Sequence, residues 1–323
     1  MNVQTQSGPK DEKRIFVVNP ASHSGKGKQL WDRVEEILKT QETAYEAYFS
    51  TKSGEIAQIV RHILTVLYPE GPVMLVVLGG DGTVNEALQG IVDFERVRFG
   101  YIPTGSGNDL ARNLGIGKDP VQALDRVLSG GREMCMDLGR VRWRQDGGIE
   151  ERRFLIGCGM GFDAAVCQEV QASSLKGLLN RLHLGRLTYL GIGLKQMFTI
   201  GYIRAQIRLD GEKFLDLKKM LFAVSMSHRY EGGGFCFCPQ ADPQDGLLDI
   251  CVVDGVPRWE FPIIIPFALK GRHGIFPGVV HYRARRVEIR TLEPVWIQTD
   301  GEVPVKTDRI EIGIEKQKLH FIY

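Results

Sequence analysis

The sequence predicts an α/β domain with a parallel sheet, followed by a second domain that is a β-sandwich. Two observations lead to this fold class. Through about residue 130, apolar strand-like runs alternate with stretches of helical spacing, and beyond about residue 132 short strand-like pieces replace them. The length of 323 residues also suits two domains, each large enough to bury a core of its own.

The first domain is predicted from its alternation of strands and helices. Continuous apolar runs are typical of strands buried on both faces, and Trp31, Val34 and Leu38 recur at helical spacing between two of these runs. The predicted strands span residues 14–19, 44–50, 73–78 and 97–103, and the predicted helices span 26–40 and 54–67. This order favours a parallel sheet with right-handed crossovers.

The second domain is predicted from short strand-like pieces that turn residues separate. Examples are CMDLGRVRW, YIRAQIRLDG, LLDICVVDG and PVWIQTDGE, and two helical stretches interrupt them at about 166–199 and 257–271. We expect the last segment to return to the first domain. The predicted boundaries are therefore 14–132 completed by about 307–323 for the α/β domain, and 133–306 for the β-rich domain.

Charge and composition exclude several classes of protein. The formal net charge of +2 is too small to indicate a nucleic-acid partner. The polar N-terminal segment predicts no signal peptide, and the most apolar stretch, at 261–269, is too short to cross a bilayer. None of the six cysteines forms a C-x-x-C pair, which favours reduced, buried thiols in a cytoplasmic protein.

The stretch VVLGGDGTVNEALQG, at 76–90, places a glycine-rich turn between a strand and a helix. Thr83 and Glu86 have the spacing of a capping box, which predicts that the helix starts there. Backbone N–H groups of such a turn, next to a helix N-terminus, can bind an anion. The alternative is a turn that only needs positive φ angles. Neither the P-loop pattern nor the dinucleotide fingerprint is present.

Two more loops of this kind favour a phosphate site. Residues 101–115 again place a glycine-rich turn after a strand, and residues 19–29 follow the first strand in the same way. Ligands bind at the carboxyl ends of the strands in open α/β sheets. Three similar loops at one sheet edge are difficult to explain as turns alone.

These loops resemble those of the diacylglycerol kinase catalytic family, soluble bacterial lipid kinases related to sphingosine kinases. The matching motifs are Asn19-Pro20 with the Ser-Gly-Lys-Gly after it, Gly79-Gly80-Asp81-Gly82-Thr83 with Asn85-Glu86, Pro103-x-Gly105-x-Gly107-Asn108-Asp109, DPQDGLLDI at 242–250, and TDGEVP at 299–304. The resemblance covers about residues 14–323 in order. It implies a nucleotide-binding α/β domain, as in NAD kinase and diacylglycerol kinase, and a β-rich lipid-acceptor domain.

The resemblance implies ATP as the nucleotide and assigns residues to it. The expected nucleotide contacts are Asn19, Ser50 or its neighbour Thr51, Gly79, Gly80, Asp81, Gly82, Thr83, Glu86, Ser106 and Asn108. Asp81 is also expected to help hold Mg²⁺, which usually binds one or two carboxylates and phosphate oxygens. The alternative roles are a helix-capping hydroxyl for Ser50 and a turn aspartate for Asp81.

Asp300 and Glu302 are the candidates for the chemistry, because a kinase needs a carboxylate that accepts the proton of the attacking hydroxyl. An extended Asp-Gly-Glu would put both carboxylates on one side of the chain. The alternative is a type I′ hairpin turn at Asp300-Gly301. The sequence does not decide which carboxylate is the base.

The resemblance further implies a second, structural metal site formed by Asp242, Asp245 and Leu247, for which a plain turn is the alternative. Residues 175–198 combine helical apolar spacing with basic residues, which suits either an anionic membrane surface or a helix packed on the sandwich. We expect a lipid substrate at a membrane surface, a peripheral membrane location and a homodimer.

The favoured function is an ATP-dependent lipid kinase that phosphorylates diacylglycerol to give phosphatidic acid. Alternatives are a kinase of sphingoid bases or other lipids, an NAD kinase, which shares Gly-Gly-Asp-Gly, and a non-catalytic binding protein of the same fold. The presence of Asp81, Asp300 and Glu302 favours an enzyme. The acceptor is not readable from the sequence, because every lipid alcohol requires the same phosphate machinery.

Overall fold

The computed structural model describes residues 12–105, 107–117, 119–172 and 201–323, which form two compact units. The first unit comprises the described residues up to Met136 together with Gln317–Tyr323, and the second comprises Asp137–Lys316. The division differs from the predicted boundaries. Only the last seven residues return to the first unit, since the strand at 306–314 pairs within the second unit.

The elements are numbered along the chain. The strands are β1 Lys13–Val18, β2 Glu46–Phe49, β3 Val73–Gly79, β4 Val97–Pro103, β5 Glu133–Met136, β6 Gly139–Gln145, β7 Gly148–Phe154, β8 Gly157–Gly161, β9 Ile203–Leu209, β10 Lys213–Met226, β11 Leu248–Asp254, β12 Val279–Ala284, β13 Arg286–Thr299, β14 Lys306–Ile314 and β15 Leu319–Ile322. The α-helices are α1 Ser22–Gly25, α2 Gly27–Thr40, α3 Glu55–His62, α4 Asp81–Gly90, α5 Asp109–Leu114, α6 Pro120–Leu128, α7 Phe162–Ala172 and α8 Phe261–Leu269.

The first unit is built on a sheet of strand order β2-β1-β3-β4-β15-β5, parallel except for β5. Every residue of β3 is buried, as its continuous apolar sequence predicts for a central strand. Trp31 of α2 packs against Phe16 of β1 with ring centroids 5.5 Å apart, which fixes the helix on the sheet. The neighbours β1, β3 and β4 therefore end side by side.

The second unit contains an antiparallel sheet in the order β12-β11-β10-β8-β13-β14-β6-β7. The two long strands, β10 and β13, both pair with β8 and both pair with β9, so the sheet closes on itself around one apolar core. Met160, Ile207 and Ile297 are fully buried in that core. The predicted fold class, a parallel α/β domain and a β-sandwich domain, is confirmed.

The predicted helices are found with different ends. Residues 54–67 form α3 and then one π-helical segment, Ile63–Leu67. Residues 257–271 form a 3₁₀ turn, Arg258–Glu260, followed by α8, which contains Pro266. The predicted stretch at 166–199 is described only as far as α7, so the basic segment 175–198 lies outside the described residues. Within the described ranges, none of the helices has the length and apolar character needed to cross a membrane.

Candidate active site

Three glycine-rich loops follow β1, β3 and β4 and are hydrogen-bonded to one another. The amide of Thr104 donates to the carbonyl of Gly79 at 2.8 Å, and the hydroxyls of Ser22 and Thr104 lie 2.7 Å apart. The amide of Asn19 donates to the carbonyl of Leu78 at 3.0 Å. The edge of the parallel sheet therefore brings the predicted loops together, as the strand order requires.

Gly80 and Gly105 let the second and third loops approach without side chains. A Cβ on Gly105 would lie 2.7 Å from the Cα of Gly80 and 2.6 Å from Oδ1 of Asn108. A Cβ on Gly80 would lie 3.2 Å from the Cα of Gly105. These glycines are needed for the close backbone packing of the two loops.

The predicted capping box is wrong. Helix α4 starts at Asp81, with Gly80 as its N-cap and no side-chain cap. The hydroxyl of Thr83 accepts a hydrogen bond from Nδ2 of Asn19 at 3.1 Å instead of capping its own helix. The first N–H groups of an α-helix have no partner inside the helix, so the start of α4 can bind an anion.

Glu86 stabilises the neighbouring helix rather than its own. Its carboxylate accepts hydrogen bonds from the amide of Gly54 at 3.0 Å and the amide of Ile56 at 3.4 Å. Gly54 is the N-cap of α3, with a φ of 82°. The carboxylate thus supplies the negative charge that a helix N-terminus favours.

Asp81 joins the second loop to the third. Its carboxylate accepts from the amide of Asp109 at 2.9 Å and from the amide of Leu110 at 3.2 Å, which caps α5. Asn108, the N-cap of α5, has a left-handed φ of 49°, and its Oδ1 accepts from the hydroxyl of Tyr101 at 3.3 Å. The two motifs therefore form one rigid arrangement.

The hydroxyls predicted near ATP have different environments. Ser50 is half-buried just after β2, and its amide donates to the carbonyl of Val18 at 3.0 Å. The hydroxyl of Thr51 donates to Glu55 at 2.9 Å, which leaves Ser50 as the better candidate. Ser106 lies outside the described residues.

In the second unit, Asp300 and Gly301 form the two-residue turn that follows β13. Both have positive φ angles, 49° and 84°, and Thr299 and Glu302 exchange two backbone hydrogen bonds of 2.8 and 2.9 Å. Positive φ at both central residues defines a type I′ turn. The prediction of an extended Asp-Gly-Glu is wrong, and the alternative of a hairpin turn is correct.

The two acidic residues of this turn have unlike surroundings. The carboxylate of Asp300 accepts three backbone hydrogen bonds, from Leu155 at 2.9 Å, Ile156 at 2.8 Å and Gly157 at 3.0 Å. Glu302 accepts one side-chain hydrogen bond, from Nε2 of Gln171 at 3.2 Å. Asp300 therefore anchors the turn to the loop before β8, whereas Glu302 is held by one exposed side chain.

A polar network that the sequence did not indicate lies beside this turn. Nε2 of the buried Gln298 donates to Glu231 at 2.9 Å and to Asp163 at 3.2 Å, while its Oε1 accepts from the amide of Gly301 at 2.8 Å. Burial raises the pKa of Asp163 to about 6. Asp163 follows the glycine-rich GCGMGF, which is the only sequence signal that could have drawn attention to it.

His228 supports the same loop. Its Nδ1 donates to the carbonyl of Leu155 at 2.8 Å, and the hydroxyl of Ser227 donates to that oxygen at 2.6 Å. Burial lowers the pKa of His228 to about 4, so the ring is neutral at physiological pH.

The residues expected to form a second metal site hold other partners. Asp245 forms an ion pair with Arg283 and accepts from the amide of Leu247 at 2.9 Å, and Asp242 accepts from the amide of Gln244 at 3.0 Å. Asp137 holds the same loop by accepting from the amide of Gly246 at 2.7 Å. The carboxylate of Asp245 is therefore paired with an arginine here, and the second metal site implied by the resemblance stays a prediction.

Two family models match the chain. The diacylglycerol kinase catalytic domain matches residues 13–141, and the YegS C-terminal NAD kinase beta sandwich-like domain matches residues 158–311. A diacylglycerol kinase of Mycobacterium tuberculosis (strain ATCC 25618 / H37Rv) is 34% identical over 241 residues, which cover 73% of this chain and 72% of that protein. One from Bacillus subtilis (strain 168) is 27% identical over 293 residues, 89% of this chain and 88% of that protein.

The architecture agrees with a solved relative. The crystal structure of a diacylglycerol kinase from Bacillus anthracis str. Sterne superposes with a TM-score of 0.68 at 20% identity, covering 98% of both chains, and this likeness concerns the fold. An α/β unit with three phosphate-type loops, followed by a β-sandwich unit, is the domain pair that the two family models describe. The chain belongs to the diacylglycerol kinase family, and it is a phosphotransferase of the lipid-kinase class.

Proposed function

We propose that this protein transfers the γ-phosphoryl group of ATP to the free hydroxyl of diacylglycerol, giving phosphatidic acid. One observation carries the proposal. In a chain of this family, three glycine-rich loops lie together at one sheet edge, beside the N-terminus of α4. The first unit is assigned to nucleotide binding and the second to the acceptor hydroxyl.

The loops fit a polyphosphate. The backbone of Gly80 passes so close to Gly105 that a Cβ on Gly105 would not fit, and the amides that start α4 lie beside this contact. The Asn19–Thr83 hydrogen bond fixes the first loop to the start of α4. We assign the phosphates to the amides of Gly82 and Thr83, because a helix N-terminus stabilises negative charge.

Asp81 fits a role in binding Mg²⁺ beside the phosphates. It is a hard oxygen donor in the first turn of α4, and its hydrogen bonds to Asp109 and Leu110 hold it in one orientation. The ion would neutralise charge that develops on the phosphate oxygens. The chain itself supplies the carboxylate of Asp81, whose orientation is fixed before the ion binds.

The Asp300–Glu302 turn is assigned to the proton of the attacking hydroxyl. The carboxylate of Asp300 accepts three backbone hydrogen bonds, which hold it in one orientation. Glu302 has fewer donors. Because the surroundings of the two carboxylates differ, mutating each one should distinguish their roles.

We further propose that residues 258–275 contact the membrane that contains the lipid. Trp259 and Ile275 are each 68% exposed and Ile263 is 50% exposed, so three large apolar side chains of one segment face solvent. Arg258 and Arg272 belong to the same segment and suit anionic headgroups. Tryptophan and isoleucine beside arginine are typical of helical segments that lie in the membrane interface.

The test is phosphoryl transfer from radiolabelled ATP to a panel of acceptors in mixed micelles. We expect label in phosphatidic acid with Mg²⁺ present. Label mainly on a sphingoid base or another lipid would change the substrate, label on NAD would favour the NAD kinase alternative, and ATP binding without transfer would favour a non-catalytic protein. The expected homodimer stays a prediction, which sedimentation equilibrium would test.

A further inference from the structure

A cysteine and two histidines of the second unit form a compact cluster that has no part in the proposed phosphoryl transfer. Cys251, His273 and His281 each place one ligand atom within 4.8 Å of the others. Cys251 of β11 and His281 of β12 are direct partners in the antiparallel register, so their side chains share one face. His273 begins the 3₁₀ turn His273–Ile275 and reaches the same point.

The spacing of these atoms matches a tetrahedral metal site. Sγ of Cys251 lies 3.6 Å from Nε2 of His273. With Zn–S near 2.3 Å and Zn–N near 2.0–2.1 Å, a tetrahedral angle separates sulfur and nitrogen by about 3.6 Å. The two imidazole rings pack edge to face, with centroids 5.0 Å apart, which brings both rings to one side of the sulfur.

The cluster is buried at one end and open at the other. Cys251 and His273 are buried, whereas His281 is exposed and lines a cavity of about 450 Å³ together with Tyr282 and Arg283. Three protein ligands beside a cavity leave a fourth position for water or a small ligand. Catalytic and exchangeable zinc sites share this arrangement, while structural sites are closed by four protein ligands.

The two histidines share one hydrogen-bond acceptor, and one ring nitrogen of His273 has no hydrogen-bond partner among the described residues. Nε2 of His273 and Nε2 of His281 both contact the carbonyl of Phe237, at 3.1 and 2.9 Å. Nδ1 of His273 is buried and has no hydrogen-bond partner among the described residues.

We propose that Cys251, His273 and His281 bind one divalent transition metal ion, with zinc as the best match. A thiolate with two imidazoles selects zinc over magnesium, because soft and borderline ligands disfavour a hard cation. On binding, the Cys251 thiol releases its proton to solvent and the sulfur becomes a thiolate ligand. The site uses none of the residues assigned to ATP, Mg²⁺ or the acceptor, so it stands whether or not the proposed kinase activity is found.

The test is titration of the tag-free protein, after treatment with a chelator, with Co²⁺ and then Zn²⁺. We expect one Co²⁺ per chain, a thiolate-to-cobalt charge-transfer absorption in the near ultraviolet, and its loss when Zn²⁺ displaces Co²⁺. Cys251→Ser should abolish that absorption. His281→Gln keeps a donor for the Phe237 carbonyl and should weaken binding at least about a hundredfold, since even outer-shell changes cost up to that much.

The matched control is a second cysteine–histidine pair of the same chain. Sγ of Cys135 lies 3.5 Å from Nδ1 of His320, but these residues belong to no three-ligand group in the described part of the chain. Cys135→Ser should leave Co²⁺ binding unchanged. Because His281 is exposed, His281→Gln should fold even if Cys251→Ser does not. Absence of the absorption, its persistence in His281→Gln, or its loss in Cys135→Ser would each overturn the proposal.

Discussion

Asp81 in the first unit and Asp300 in the second are both motif aspartates whose carboxylates accept backbone hydrogen bonds, yet their surroundings differ. Asp81 accepts two amides at the start of α5, within loops that glycine backbone packing shapes. Asp300 accepts three amides from residues 155–157, beside a network of buried titratable side chains. The first region is defined mainly by its main chain and the second by its side chains.

This difference decides what a substitution should change. Where the main chain forms the site, added side-chain atoms should exclude a ligand from it. Where buried polar side chains form the site, removing one group leaves others without partners, so stability and pH dependence should change as well. The predictions below test this contrast, beginning with the largest expected effect.

Asp300→Asn should have the largest effect. The amide nitrogen of asparagine cannot accept, so at least one of the three backbone donors loses its partner, at a cost of about 1–3 kcal/mol of unfolding free energy. Turnover should fall by about a hundredfold or more if the carboxylate accepts the proton. Urea unfolding and initial rates on a short-chain diacylglycerol measure the two effects separately.

Glu302→Gln is the control for Asp300→Asn. Among the described residues, its carboxylate accepts from the exposed Gln171, so stability should stay within about 0.5 kcal/mol of the parent. An inactive Glu302→Gln beside an active Asp300→Asn would transfer the base role to Glu302. Unchanged stability in Asp300→Asn would contradict the anchoring role.

Gly105→Ala should come next, and it tests the main-chain region. The new Cβ would lie 2.7 Å from the Cα of Gly80, so the two loops must separate, which typically costs about 1–3 kcal/mol. We expect ATP affinity to fall at least about tenfold, equivalent to 1.4 kcal/mol. Gly107→Ala is the matched control, because its nearest contact would be 3.5 Å from Asp81. Equal affinities for the two variants by calorimetric titration would move the phosphates elsewhere.

Asp163→Asn should change how stability depends on pH. Burial raises the pKa of Asp163 from 3.8 to about 6, so between these values the folded protein holds a proton that the unfolded chain has released. Stability is therefore lost as the pH rises through this window. Asparagine still accepts from Gln298 but cannot ionise, so the variant should match the parent near pH 4 and exceed it by about 3 kcal/mol at pH 7.

Urea unfolding of both proteins across this pH range is the measurement for Asp163→Asn. The control is Asp146→Asn, which makes the same chemical change in the exposed turn between β6 and β7. A parent protein whose stability rises relative to Asp163→Asn between these pH values would show that Asp163 is stabilised in its ionised form, contrary to its burial.

The sequence predicts the first region better than the second for a physical reason. Buried parallel strands are continuous apolar runs, and glycine turns are local, so β3, β4 and their loops are visible in 76–90 and 101–115. The network beside Asp300 depends on long-range pairs, since Gln298 and Glu231 are 67 residues apart and Gln298 and Asp163 are 135 residues apart. A local sequence pattern does not reveal pairs of residues that lie so far apart in the chain.

Predictions from local sequence patterns were also wrong where a residue of another element forms a hydrogen bond with the same side chain. Thr83 and Glu86 have capping-box spacing, but the fold gives Thr83 to Asn19 and Glu86 to the start of α3. In each case a tertiary partner replaces the partner that the motif implies.

Glu86→Gln should have the smallest effect. It tests whether Glu86 binds the nucleotide, as the family resemblance implies, or stabilises the start of α3, as its hydrogen bonds indicate. The resemblance places Glu86 at the nucleotide, whereas its carboxylate accepts from the amides of Gly54 and Ile56 at the start of α3. Glutamine keeps one acceptor oxygen but loses the negative charge at that helix end, which costs about 0.3–1 kcal/mol. We therefore expect a small decrease in unfolding free energy and an unchanged ATP affinity.

The comparison variant for Glu86→Gln is Glu36→Gln, which removes the same charge from an exposed position on α2. It should change unfolding free energy by less than about 0.5 kcal/mol. A loss of ATP affinity in Glu86→Gln, with stability equal to that of Glu36→Gln, would return Glu86 to the nucleotide site. A loss of stability alone would show that Glu86 stabilises the start of α3. The glycine-loop motif would then reflect packing between α3 and α4 as well as chemistry.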